Sequence, residues 1–248
     1  MKPMKQKRTK IILLPVAVLL AAVLACAVYA GDYYRADETA LAALESGGGV
    51  TVYTQADGSV VFAPETPKAG FIFYPGGKVE HTAYAPLMRA LAEQGVQCVL
   101  VEMPLRLAVL DMDAAEGVRE QFPEVERWYL GGHSLGGAMA ASHAAEHADD
   151  YEGLVLLAAY STADLTGSGL RVLSLTADQD QVLNWEKYEA GRAALPANAA
   201  EYTLEGGCHG GFGSYGPQEG DGVPTVTGAE QTAWTARQAA DFMLAAAA

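Results

Sequence analysis

Cysteine is scarce and badly placed for cross-linking. Of the three, Cys26 lies in an apolar N-terminal run, and Cys98 and Cys208 are far apart, so no disulfide framework is expected. C-x-x-C and H-E-x-x-H patterns are absent, and Cys208 beside His209 lacks the ligand spacing of a thiol catalyst or metal pair. Positive charge is short as well: 16 Lys and Arg stand against 30 Asp and Glu, for a net charge of −14. The first thirty residues hold five of the bases (Lys2, Lys5, Lys7, Arg8, Lys10) and no acid, which leaves the rest at −19. Nucleic acid is thereby excluded as a partner of the folded part. Internal repeats are missing, and nothing marks a second domain. A chain of 248 residues, half of them hydrophobic, suffices for one substantial core.

What is present begins with those bases. An uncharged apolar run of 20 residues, Ile11 to Ala30, follows them, and as a helix it spans about 30 Å of hydrocarbon. Positive charge on its N-terminal side predicts that end in the cytoplasm and the remainder outside. Residues 1–30 are therefore expected to be an uncleaved membrane anchor. A signal peptide cut after Val28-Tyr29-Ala30, giving a secreted protein, is the alternative. Residues 31–48 read as a linker and 49–248 as the folded domain.

Within that domain Val50 to Thr54 and Val60 to Ala63 flank Ala56-Asp57-Gly58, an antiparallel hairpin. From Gly70 short apolar runs alternate with amphipathic stretches. Strands are expected at Phe71 to Tyr74, Gln97 to Glu102, Arg127 to Leu130, Leu154 to Ala158, Arg171 to Leu175 and Glu201 to Leu204. Helices are expected at Tyr84 to Glu93, Ala114 to Gln121, Leu135 to His147, Asn184 to Ala194 and from Glu230. The class is α/β, a mostly parallel sheet with helices on both faces. Gly216 to Pro224 reads as a solvated loop, with Glu219 and Asp221 as its acids.

Between a strand and a helix stands Gly132-His133-Ser134-Leu135-Gly136, a G-x-S-x-G in the context that motif needs. A tight strand-to-helix turn exposes the Ser134 hydroxyl, and small residues two positions either side avoid clashes. A serine hydroxyl is a weak nucleophile that needs a histidine to take its proton and a carboxylate to hold the imidazole. Two later strands supply both: Asp178 and Asp180 follow Arg171 to Leu175, and His209 follows Glu201 to Leu204 on a flexible glycine loop. The order Ser134, Asp180, His209 results, with Asp178 as the alternative acid. His81, His133, His143 and His147 read as packing or surface residues. The N–H of Leu135 is one donor to a reacting oxyanion, and the turn Tyr74-Pro75-Gly76-Gly77-Lys78 supplies the other, Gly77 by position or else Gly76.

From about Gly70 onward the chain resembles the α/β-hydrolase superfamily. The segments Tyr74 to Val79, Gly131 to Gly137 and Glu205 to His209 are similar to those of small, lid-poor bacterial hydrolases within it. The resemblance implies an eight-stranded type of sheet and esterase-like chemistry on a small-molecule ester, with no metal or organic cofactor required. Transfer of the acyl group to an envelope acceptor, or a non-catalytic binding role, are the competing readings. Only Tyr160 to Gly169 follows the strand after which cap-bearing relatives insert helices, too short for a multi-helix lid.

Overall fold

A computed structural model of the protein describes residues 28–245, together with Val18, Leu20, Ala21 and Leu24. The chain forms two units, Met1–Tyr33 and Tyr34–Ala248. Thirteen of the 20 residues of the expected membrane segment lie outside the described residues, and among those described no helix is long and apolar enough to cross a membrane.

In the second unit, helix α1 (Glu38–Ala42) precedes strands β1 (Val50–Thr54), β2 (Val60–Pro64) and β3 (Ala69–Tyr74). Then come α2 (Ala85–Ala92), β4 (Val96–Leu100), β5 (Trp128–His133), α3 (Leu135–Glu146) and β6 (Gly153–Leu157). The chain closes with β7 (Arg171–Ala177), α4 (Trp185–Gly191), β8 (Ala200–Leu204) and α5 (Gly228–Leu244). One eight-stranded sheet results, ordered β1-β2-β4-β3-β5-β6-β7-β8. Only the β1–β2 and β2–β4 pairings are antiparallel; the other five are parallel. The hairpin turns where Asp57 Oδ1 accepts the Ser59 N–H at 2.9 Å and Gly58 takes φ +88°, a conformation that glycine enters without strain.

Side chains two apart share a face of a strand, and the sheet sorts its core on that rule. Phe71 and Phe73 face a layer with Leu91, Ala236 and Met243 from α2 and α5. Ile72 and Tyr74 face the opposite layer, with Ala140, Ala141 and Ala144 from α3. Every residue of β3 is buried, as the covered centre of a parallel sheet requires.

Two expectations need correction. The linker 31–48 is structured from Tyr34 on: Tyr34 forms a parallel bridge to Val79, Asp37 caps α1 by accepting the Ala40 N–H at 2.9 Å, and Ala40 is fully buried. The Arg89 guanidinium on α2 also holds the Ala43 carbonyl at 2.8 Å. A polar composition concealed a docked segment. Secondly, Ala114 to Gln121 is no α-helix, but turns ending in a 3₁₀ turn at Arg119–Gln121. Gly117 sits at φ +70°, and the Tyr74 hydroxyl takes the Ala115 N–H at 2.9 Å while donating to the Met112 carbonyl at 2.7 Å. A buried side chain thus anchors two backbone groups of this irregular segment.

Candidate active site

The site forms at the C-terminal ends of the parallel strands. Ser134 joins β5 to α3 at φ 53°, ψ −122°, a left-handed conformation that non-glycine residues rarely hold. Its N–H extends the ladder to the Leu157 carbonyl at 2.9 Å, and its carbonyl receives the Ala138 N–H at 3.1 Å. The turn fits because the residues two positions either side have no side chains. A Cβ on Gly136 would lie 2.2 Å from the Pro75 oxygen, and one on Gly132 would lie 2.6 Å from the Tyr74 oxygen.

That close approach brings the turn after β3 against the start of α3. A Cβ on Gly77 would meet the Leu135 side chain at 3.0 Å. The Gly76 N–H is occupied, donating to the Tyr84 hydroxyl at 3.0 Å, whereas the Gly77 N–H has no acceptor among the described residues. Leu135, first residue of α3, has an N–H outside the helix's own bonds. Both lie where the positive end of a 12-residue helix dipole favours negative charge.

Asp180 and His209 stand on the loops that follow β7 and β8. Buried Asp180 accepts the Val182 and Leu183 N–H groups through Oδ1, each at 2.8 Å, and its Oδ2 lies 2.7 Å from His209 Nδ1. That bond makes Nδ1 the protonated nitrogen and leaves Nε2 basic. Asp178 is exposed and accepts the Gly206 N–H at 2.7 Å, a tether on the histidine loop. Ser134 and His209 line one cavity of about 240 Å³ with Leu135, Ala158, Tyr160 and Leu183. A wider recess of about 580 Å³ beside Cys208 and Asp221 is lined by neither of them.

The fold and this arrangement agree with a family model described as the alpha/beta hydrolase family, which matches residues 70–233. The chain belongs to the α/β-hydrolase family. Three solved structures share the fold of this α/β-hydrolase. A predicted CIB-like hydrolase from Thermoplasma acidophilum has TM-score 0.55 and 13% identity, over 79% of this chain and 99% of its own. TT1662 from Thermus thermophilus has TM-score 0.57 and 18% identity, over 78% and 96%. The esterase domain of a Rhodothermus marinus protein has TM-score 0.58 and 14% identity, also over 78% and 96%. No curated protein matches the sequence significantly.

The histidine loop of this α/β-hydrolase is held more firmly than its glycines suggest. Buried Gln231 on α5 accepts the Cys208 N–H at 3.1 Å and donates to the Cys208 carbonyl at 2.8 Å. Asp221 accepts the Gly210 N–H at 2.8 Å and the Gln181 N–H at 3.3 Å, joining the histidine loop to the acid loop. Asp221 is therefore a strut, where a solvated carboxylate was expected, and these hydrogen bonds hold its pKa below the ordinary value against the opposing effect of burial. Its sequence signal was an acid among turn residues. Gln231 had only a polar side chain on a helix's inner face. Cys208 offers no thiolate, since burial, with Asp221 nearby, pushes its thiol up to about 11.

His133 is fully buried, and its Nδ1 lies 2.8 Å from the Tyr84 hydroxyl. That hydroxyl also accepts the Gly76 N–H, so it bridges the glycine turn and the ring. Burial, and secondly neighbouring His209, drive the His133 pKa well below the usual imidazole value. It is a neutral support behind the glycine turn. Nothing in the sequence linked Tyr84 to it.

Proposed function

We propose that the protein is a serine hydrolase acting on carboxylic esters of small acyl groups through an acyl-enzyme. Ser134 Oγ attacks the carbonyl carbon while His209 Nε2 takes its proton. The C–O bond to the leaving alcohol then breaks, and His209 returns the proton to that oxygen. Water repeats the sequence to release the acid. Asp180 keeps the imidazole oriented and supports its cation, and the N–H groups of Leu135 and Gly77 receive the oxyanion.

One observation carries the reading: a carboxylate 2.7 Å from His209 Nδ1, with that histidine and a left-handed Ser134 lining the same cavity. The small-acyl preference is supported by the cavity's 240 Å³, below the roughly 300–1,000 Å³ of pockets for drug-sized ligands. The test is a fluorophosphonate label followed by an ester series of increasing chain length. Labelling lost in Ser134→Ala, and turnover falling as the chain lengthens, are expected. Labelling that persists in that variant would sink the nucleophile assignment. A rate that jumps where the ester aggregates would overturn the open site.

We further propose that residues 1–30 anchor the protein in a membrane with the hydrolase domain outside the cytoplasm, on the strength of five bases before an uncharged apolar run. A reporter fused after Ala248 should be active only outside the cytoplasm, and the chain should stay in the membrane fraction. An N-terminus at Gly31 would instead indicate secretion.

A further inference from the structure

The helix that begins at the serine ends in a second cluster of chemistry-bearing side chains, which the ester reaction does not use. His143, in the last turn of α3, and His147, its C-cap residue, stand four positions apart, rings stacked with centroids 4.4 Å apart. His143 has a side-chain exposure of 1%, and its Nδ1 lies 3.0 Å from Asp113 Oδ1. Its Nε2 lies 3.2 Å from the Tyr151 hydroxyl. His147 Nε2 is 4.0 Å from Glu116 Oε1, and its Nδ1 is 3.9 Å from Asp150 Oδ2. A cavity of about 300 Å³ opens over the group, lined by Glu116, His143, His147, Asp150 and Tyr151 among others.

We propose that Asp113, His143 and His147 form a binding site for a divalent transition metal of the zinc class. One ligand atom from each already lies within 4.8 Å of the others. Two donors about 2.0–2.1 Å from a tetrahedral zinc stand about 3.3 Å apart, close to the 3.0 Å between His143 Nδ1 and Asp113 Oδ1. The metal takes the place of the proton those atoms share. His143 Nε2 then carries the imidazole proton and donates it to Tyr151, the second partner that metal-bound histidines ordinarily have. A metal lies in the plane of each imidazole that binds it, so His147, 33% exposed, has to turn out of its stack with His143 to complete the site. Two imidazoles select against magnesium and calcium, which prefer oxygen. The surrounding charge favours a cation, since Asp113, Glu116, Glu120 and Asp150 face the site against Arg119, itself paired with Asp150. The fourth position opens to the cavity and water. Bound metal would fasten the irregular segment around Asp113 to the helix that carries the serine.

The full chain, purified without a polyhistidine tag and stripped with chelator, is titrated near pH 7.5 with Zn²⁺ by calorimetry and with Co²⁺ by visible absorption. One Zn²⁺ per chain, Co²⁺ bands of tetrahedral intensity and a Tm rise reversed by chelator are expected. His147→Gln and Asp113→Asn, both at accessible side chains, should each weaken Zn²⁺ binding by at least about 10-fold while leaving unliganded Tm and ester turnover near the parent's. Absence of saturable binding, or equal binding in the parent and both variants, would overturn the site and leave His143 as a hydrogen-bonded core residue.

Discussion

Asp180 and Asp178 stand two residues apart and do different work. Asp180 contacts the imidazole; Asp178 restrains the loop that carries it. Asp180→Asn should therefore lower kcat by about 10² to 10⁴ with little change in KM, by leaving the imidazole wrongly oriented and its cation unsupported. Asp178→Asn, which keeps an oxygen to accept the Gly206 N–H, should cost far less in rate. The reverse ranking would reassign the acid. His133 makes a separate prediction about pH. Above its ordinary pKa of 6.5 neither the folded nor the unfolded chain protonates this ring. Below it the unfolded chain binds a proton that the folded chain refuses, so stability falls with pH by up to about 1.4 kcal/mol per unit. Burial also lowers the His81 pKa, adding in the same direction. Denaturation of His133→Gln from pH 7 to 5 should show a shallower slope than the parent, and an unchanged slope would refute the assignment.

At the scale of elements, what was legible followed from periodicity. Six buried residues in β3 and the small inner face of α3 announce themselves as an apolar run and a Gly/Ala-rich helix, and the parallel order follows from their alternation. The carboxylate and histidine were legible because they follow the late strands. Illegible were structures maintained by single polar side chains reaching across the fold: Tyr74 in place of a helix after Met112, Tyr84 behind Gly76, and Gln231 under Cys208. The bonds of these side chains join residues up to 49 positions apart and leave no local pattern. Gln231 gives the sharpest test. Gln231→Leu would leave the buried N–H and carbonyl of Cys208 without their partner, costing about 1–3 kcal/mol. It should also lower kcat by loosening the histidine loop. Stability and rate both unchanged would show that the glutamine holds nothing.

Across the whole molecule, the boundary that matters for handling the protein is Tyr34. A chain starting there should unfold cooperatively near the parent's denaturant midpoint. One starting at Gly49 loses the Tyr34–Val79 bridge, the α1 contacts and the Ala43 carbonyl that Arg89 holds, and should unfold at lower urea. Equal midpoints would restore residues 34–48 to the role of a linker. The strong negative charge of the remainder repels anionic lipid, so the membrane retention proposed above should be lost when the N-terminal run is removed. A last consequence lies in Leu135. Its main-chain N–H belongs to the backbone, while its side chain lies against Gly77 and lines the cavity. Every residue but proline would keep that donor. On the proposed reading, mutation at 135 can thus redraw the outline of the acyl pocket without removing a charge-stabilising group, so in the descent of such a protein substrate preference is free to wander while the chemistry stands still.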